Sequence, residues 1–260
     1  MEVDYSRLDA KTEQLRQKEH ALRRRSNAIV QNFYEKLDLS WIYHDNALEG
    51  VVLSYSELRA AIDTKIISDV SLIPTYEEIK AHKSAIDWVR EHAKKKKLGI
   101  TVELLRKLHE MVTPAEGPDD DRTHALRKEN PLHRLYYHEI AQPDKIPVLL
   151  KKLADWLASD EFAMEHPVKR ACEAHCRLLA IYPWLKNSGK VARLLMNLLL
   201  LHDGYLPVVI HSIERQRYYE SLRNEHAGCA PLVMESLLNS ADTALRFYQE
   251  VDLQRSKAAS

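Results

Sequence analysis

Apolar residues recur every three or four positions along most of the chain, a spacing that predicts a series of α-helices. The charged segment over residues 4–39 predicts one long helix with a single apolar stripe. That stripe consists of Leu8, Leu15, Leu22, Ile29 and Phe33. Its near-heptad spacing suits an oligomerisation seam or, more commonly, docking on the rest of the chain. Further helices are predicted from about residue 57 and over 75–97, 102–112, 147–158, 168–180, 191–202, 213–222 and 231–251.

The run VARLLMNLLLL, residues 191–201, is too apolar on all sides for a surface helix and predicts a buried central helix. Asp203-Gly204 should end it, with Gly204 in the left-handed position that follows many helices. The preceding helix should end at Tyr182-Pro183, because proline lacks an N–H group and disfavours helix in the residue before it. The polar loop 186–190 lies between them. Since a helix N-terminus exposes unpaired N–H groups, this loop is a candidate phosphate site.

Composition excludes several classes of protein. The 260 residues are 45% hydrophobic, which is enough for a substantial core. Lysine plus arginine and aspartate plus glutamate both number 38, so no overall field favours nucleic acid or an anionic membrane. We find no apolar stretch of membrane-spanning length and no signal-like N-terminus. The odd cysteine count (Cys172, Cys176 and Cys229) indicates a reducing compartment, so a cytoplasmic location is predicted, with packing thiols rather than a metal site.

The segment YPWLKNSGKVAR, from Tyr182 to Arg193, resembles the signature of the Fic (Fido) family, whose members mostly transfer AMP from ATP to a protein hydroxyl. That signature reads His-Pro-Phe-any-Asp/Glu-Gly-Asn-Gly-Arg, two further residues, and a second arginine. Pro183, Gly189 and Arg193 keep the pattern, and Ala174-His175 matches upstream. The resemblance extends over about residues 40–250. It implies an all-α Fic-type bundle with a short β-hairpin flap.

The resemblance also implies a division of the chain: an N-terminal helical extension over residues 1–39, a Fic-like domain over 40–250, and a tail over 251–260. Many family members carry an inhibitory helix that ends in Ser/Thr, three residues, and Glu-Gly or Glu-Asn. Here the same frame begins with Asp45 in place of Ser/Thr and ends with Glu49-Gly50. The resemblance therefore implies that Glu49 pairs with Arg193, an ion pair strengthened by the guanidinium geometry. The alternative is that Glu49 merely precedes a glycine cap on a solvated face.

The residues with chemical roles in the family differ here. Tyr182 replaces the catalytic histidine, and because a phenol has a pKa of about 10 it is a poor base near neutral pH. Lys186 replaces the acidic residue that holds Mg²⁺, so Mg²⁺ is not expected and no metal ligand is predicted. The anion-binding candidates, taken from the loop and the first helical turn, are Lys186, Asn187, Ser188, Gly189, Lys190 and Arg193. They combine positive charge, a hydroxyl and a helix N-terminus without an acid or a good base.

The family's flap registers a target segment by strand addition, and it corresponds here to the irregular stretch 113–147. The candidate flap residues are Leu132, His133, Arg134, Leu135, Tyr136, Tyr137 and His138. Three histidines and three arginines, Arg127 among them, make this region look cationic. An anion-facing lid and an ordinary polar surface loop are both compatible with that composition.

Three functions are compatible with the sequence. The first is a pseudoenzyme of the Fic fold that binds a nucleotide, phosphate or other anion, ATP being one candidate, without metal-dependent AMP transfer. The second is a transferase of altered, metal-independent chemistry that uses Tyr182. The third is a non-catalytic interaction module with a protein target docked at the flap. Nucleic-acid and membrane partners are not expected, and a homo-oligomer remains an open alternative.

Overall fold

The apolar helix predicted between residues 191 and 202 lies in the middle of a helical bundle. A computed structural model describes residues 4–62, 73–114, 125–131, 139–223 and 228–258 of the chain. The helix spans Ser188–His202, and every residue from 188 to 200 is buried. It is followed by Gly204 with a φ of 83°, the left-handed conformation predicted there. The prediction of a buried central helix is confirmed.

Eleven α-helices, numbered α1 to α11, account for most of the described residues. They are Ser6–Arg25, Asn27–Leu48, Tyr55–Ile62, Ile73–Ala93, Val102–Val112, Ile146–Leu157, Asp160–Met164, Pro167–Ile181, Ser188–His202, Arg215–Ser221 and Ala230–Ala258. Short 3-10 turns lie at Pro143–Lys145 and Ser212–Glu214. Among the described residues no β-strand is present, so the all-α class is confirmed for that part of the chain.

The bundle is built around the antiparallel neighbours α8 and α9, which the signature loop joins. Helices α4 and α5 pack against α9, and α6 and α11 pack against α8. Helix α1 packs on α11 and α2, and α2 also reaches α4. The first turn of α9 is therefore within reach of side chains from α2 and α4. None of the helices in the described ranges has both the length and the apolar character needed to cross a membrane.

The prediction of one helix over residues 4–39 is wrong in its bounds. Ser26 has an extended backbone, with φ −161° and ψ 105°, and separates α1 from α2. The break folds α1 back against α2 and α11 and buries the stripe from Leu8 to Phe33 within the chain. Helix α2 then continues to Leu48, across the predicted boundary at residues 39–40. The division into extension, domain and tail stays a prediction.

Side chains cap two helices at their N-termini. At α3, Ser54 Oγ accepts a hydrogen bond from Glu57 N at 3.2 Å, and Glu57 Oε2 accepts one from Ser54 N at 2.7 Å. This reciprocal pair is a capping box. At α5, Thr101 Oγ1 accepts from Leu104 N at 3.3 Å. The box at Ser54 matters for the site because it fixes the turn that follows Glu49 and Gly50.

Candidate functional site

The loop between α8 and α9 contains two residues in the left-handed backbone region that are not glycine. Tyr182 has φ 49° and ends α8, and Asn187 has φ 61° and precedes α9. Asparagine tolerates this conformation better than most residues, as the sequence analysis expected. Its Nδ2 donates to Val112 O at 3.1 Å and to Thr113 Oγ1 at 3.0 Å, which ties the loop to the end of α5.

The hydroxyl of Ser188 does not face a ligand position, contrary to the expectation for an anion hole. Ser188 is buried, and its Oγ accepts from Trp184 N at 2.9 Å while donating to Trp184 O at 2.7 Å. Both bonds close the loop on itself. Like the amide of Asn187, this hydroxyl therefore shapes the loop.

Five titratable side chains from three helices meet beside the first turn of α9. Asp45 and Glu49 come from the end of α2, His82 from α4, and Lys190 and Arg193 from α9. Arg193 Nη2 donates to Glu49 Oε1 at 2.9 Å, and its Nε donates to Asp45 Oδ1. The other oxygen of Asp45 lies 3.1 Å from His82 Nε2. The contact that the resemblance implies between Glu49 and Arg193 is present, but a second carboxylate shares the guanidinium.

The carboxylate of Glu49 lies directly against Gly189 at the start of α9. A Cβ atom added to Gly189 would lie 2.3 Å from Glu49 Oε1 and 3.0 Å from Arg193 Nη1. A side chain at this position would displace the carboxylate, so the close approach depends on glycine. A negative group at a helix N-terminus is stabilised by the unpaired N–H groups and the helix dipole. Glu49 thus occupies the place predicted for an external anion.

The electrostatics of this cluster follow from its burial. Burial by itself raises the pKa of Asp45, but Arg193 and His82 outweigh it and lower that pKa to about 2. Burial, together with the charges of Lys190 and Arg193, lowers the pKa of His82 below its ordinary value although Asp45 raises it, which favours the neutral imidazole at pH 7. The same desolvation lowers the pKa of Lys190 despite the opposing effect of Glu49 and Asp45. When Lys190 is in its ammonium form, the charges of the two cations in the cluster balance those of its two carboxylates.

Lys186 lies apart from this cluster in both exposure and environment. It is exposed, and its backbone oxygen accepts a hydrogen bond from His109 Nε2 at 3.1 Å. The ring of His109 is stacked on Trp184, with centroids 4.3 Å apart. His109 therefore packs beneath the signature loop. The structure brings Lys190 and Arg193 together beside the first turn of α9 and leaves Lys186 exposed.

Tyr182 is only 1% exposed, so its phenol is enclosed by the core. Its backbone oxygen accepts a hydrogen bond from Arg127 Nε at 2.6 Å. The remaining N–H groups of Arg127 donate to backbone oxygens of Ile181, Glu129 and Ala141 and to Asn130 Oδ1. Arg127 is itself 3% exposed and fixes the end of α8, so it takes no part in an exposed cationic surface, whether lid or loop.

Comparisons with known proteins agree with this geometry. Residues 99–200 match the model of the Fic/DOC family. A Fic domain-containing signaling protein from Bacteroides thetaiotaomicron has a TM-score of 0.78 at 22% identity, covering 92% of this chain and 98% of that one. Fic-1 from C. elegans has a TM-score of 0.69 at 22% identity, covering 92% of this chain and 70% of that one.

Among curated relatives, the protein adenylyltransferase Fic of Culex quinquefasciatus is 29% identical over 228 residues, which is 86% of this chain and 43% of the relative. The chain contains a Fic/Fido domain. It spans less than half of the length of the curated relatives that it matches, such as those from Culex quinquefasciatus at 43% and Drosophila willistoni at 40%.

Several predicted parts of this Fic domain remain outside the described residues. The candidate flap, residues 132–138, is among them, so its hairpin and target docking stay predictions. Within the described ranges, no group of three or more histidine, cysteine, aspartate or glutamate side chains is placed to hold a metal ion. The thiols are free, and Cys176 Sγ lies 3.5 Å from Cys229 Sγ.

Sequence reasoning missed the roles of Asp45, His82 and Arg127 in the Fic domain. Asp45 was visible as a departure from the family's Ser/Thr, and that substitution was the available signal. No comparable signal marked His82, which reaches the site only because α4 packs against α9. Arg127 was grouped with its basic neighbours, whereas its partners are backbone oxygens that no sequence pattern displays.

Proposed function

We propose that this Fic domain binds a phosphate-bearing anion at the first turn of α9 without metal-dependent AMP transfer, and that Glu49 occupies the site in the resting protein. One observation carries the proposal: the Glu49 carboxylate lies against Gly189 and accepts a hydrogen bond from Arg193 at 2.9 Å. A site that holds one of its own carboxylates in this way has the chemistry to hold an external oxyanion.

The charges around Glu49 support the same proposal. Lys190 and Arg193 lie one helical turn apart on α9, and each is 3% exposed. Burying two cations is costly unless negative charge accompanies them. When Glu49 moves away, an anion must replace it or the cations must be hydrated. A phosphate oxygen at the helix N-terminus would meet that requirement with backbone N–H groups and the guanidinium.

The residues at the family's catalytic positions argue against the usual transfer reaction. Tyr182 is enclosed by the core, so it has no path to a target hydroxyl in this conformation. Lys186 offers an ammonium group where the family supplies a carboxylate ligand for Mg²⁺. The two nearby carboxylates, Asp45 and Glu49, are engaged by Arg193. These donors do not fit a magnesium site.

The test is calorimetric titration with AMP in EDTA and again in Mg²⁺. Glu49→Ala is expected to bind AMP about tenfold or more tightly than the wild type, because the competing carboxylate is gone. Glu35→Ala is the matched control, since Glu35 is an exposed glutamate on the same helix. It should leave the affinity unchanged.

Two results would contradict the proposal. If Glu49→Ala and the wild type both fail to bind AMP, the site does not take phosphate. If ATP labelled at the α-phosphate modifies any protein in the presence of Mg²⁺ at a rate that EDTA abolishes, metal-dependent transfer is retained. Equal affinity in EDTA and Mg²⁺, without labelled product, is the expected outcome.

A further inference from the structure

The two carboxylates on Arg193 are held very differently. Asp45 lies inside α2, is 4% exposed, and contacts both Arg193 Nε and, at 3.1 Å, His82 Nε2. Glu49 follows the last helical residue, and its side chain is 13% exposed. A helix end moves more readily than a helix interior, so Glu49 can leave while Asp45 stays.

Contacts from α10 strengthen this difference. The backbone oxygen of Leu48 accepts hydrogen bonds from Arg215 Nε at 3.2 Å and from Tyr219 Oη at 3.1 Å. Nearer the N-terminus, Ser212 N donates to His44 Nδ1 at 3.1 Å. These bonds hold the last turn of α2 in place up to residue 48. Glu49 N also donates to Asn46 O at 3.0 Å and Gly50 N to Ala47 O at 3.1 Å, so the motion that would release Glu49 is that of its side chain.

The charge of the vacated site follows from this arrangement. With Glu49 withdrawn and Asp45 in place, Asp45 neutralises Arg193, and His82 is neutral. Asp45 is then the one carboxylate that Lys190 and Arg193 share in the cluster, which has a net charge of +1, and the other acidic group that acts on Lys190 is the exposed Glu78. A buried site tolerates little net charge, because each unbalanced charge carries a large desolvation cost.

We propose that Asp45 sets the ligand class of the site: by holding Arg193 neutralised, it restricts the site to anions with a single phosphate group and excludes polyphosphates. This inference rests on the proposed function, since it concerns the ligand that replaces Glu49. Asp45 acts here as a specificity residue that balances Arg193, whereas Glu49 competes for the site.

The test uses three probes that differ in the number of linked phosphate groups, and so in both charge and length: orthophosphate, pyrophosphate and tripolyphosphate, titrated in EDTA. The Glu49→Ala protein should bind orthophosphate at least as tightly as tripolyphosphate. Adding Asp45→Asn should tighten tripolyphosphate binding by about tenfold or more while changing orthophosphate by less, because the released guanidinium favours the more highly charged probe. Asp87→Asn, a change at an exposed aspartate of α4, is the matched control and should leave the order of the probes unchanged.

A second variant keeps the inference testable if Asp45→Asn does not fold. Lys190→Met in the Glu49→Ala background should weaken orthophosphate by about tenfold or more, since it removes the net positive charge of the cluster. Retained orthophosphate binding would overturn the inference, and so would an identical probe order with and without Asp45. If Glu49→Ala binds none of the three probes, the proposed function itself fails. If it binds them but their order does not depend on Asp45, only the inference about the ligand class fails.

Discussion

Neutralising Asp45 is expected to destabilise the folded protein at neutral pH, and the effect should disappear in acid. Burial raises the pKa of this carboxyl, while Arg193 and His82 lower it more strongly, so that it falls from 3.8 to about 2. A shift of that size corresponds to about 2.5 kcal/mol of stability, because one pKa unit is worth about 1.4 kcal/mol. Since the side chain is 4% exposed, solvent screening reduces this figure little.

The sign of the pH dependence follows from the direction of the shift. A group whose pKa is lowered by folding stabilises the protein above its unfolded pKa and loses that contribution as pH falls through its folded pKa. For Asp45 this window runs from about pH 4 down to about pH 2. Protonated aspartate and asparagine are both uncharged, so wild type and Asp45→Asn should converge at the acid end.

The assay is urea unfolding followed by far-ultraviolet circular dichroism from about pH 7 to about pH 2.5. The free-energy difference between wild type and Asp45→Asn should be constant, at about 2–3 kcal/mol, above about pH 5 and should shrink below it. Asp87→Asn is the control: its side chain is 56% exposed and pairs with Lys83, so its effect should stay under about 1 kcal/mol. A difference for Asp45→Asn that persists undiminished at about pH 2.5 would refute the reasoning.

Two other buried polar groups give further predictions. Arg127→Met should lower the free energy of unfolding in urea by about 3 kcal/mol, because backbone oxygens at the end of α8 lose their hydrogen-bond donors. Arg127→Lys has fewer donors and should recover only part of that free energy. Full recovery would contradict a role for the forked guanidinium group. Asn197→Leu should lower the free energy of unfolding by about 2–4 kcal/mol and speed hydrogen exchange at the Val208 amide. The reason is that the Asn197 side chain accepts a hydrogen bond from Val208 N at 2.8 Å and donates one to Val208 O at 3.0 Å. Exchange as slow as in the wild type would contradict it.

The spacing of apolar residues and the residues that begin or end helices predicted most of the fold, because local chemistry determines where these helices begin and end. Pro183 and Gly204 mark the two ends that were expected, and Ser54 and Thr101 cap the helices that were expected. The break at Ser26 was not predicted. The spacing of apolar residues in a sequence is unchanged when a single residue between two helices has an extended backbone. The pattern therefore does not show whether the chain turns back on itself.

The candidate site was predicted less completely than the fold, for reasons visible at single residues. The sequence placed Lys190, Arg193 and Glu49 in one site, and the structure brings these three together. It also predicted that Ser188 would present its hydroxyl to an anion, whereas the hydroxyl bonds to Trp184 within the loop. A serine hydroxyl has both a donor and acceptors, and the nearest backbone groups satisfy them before any ligand can.

The charge of the site could not be predicted from the loop because its balancing groups come from distant helices. Taken alone, residues 186–193 carry three basic side chains and no acidic one, which predicts an excess of positive charge. Packing α2 against α9 brings Asp45 and Glu49 onto Arg193, while Lys186 stays exposed at the surface. A site with balanced charge is stable without a ligand, whereas an unbalanced one would need an anion in order to fold. The proposed binding at this loop would therefore exchange one negative group for another, and its affinity would depend on how readily α2 releases Glu49.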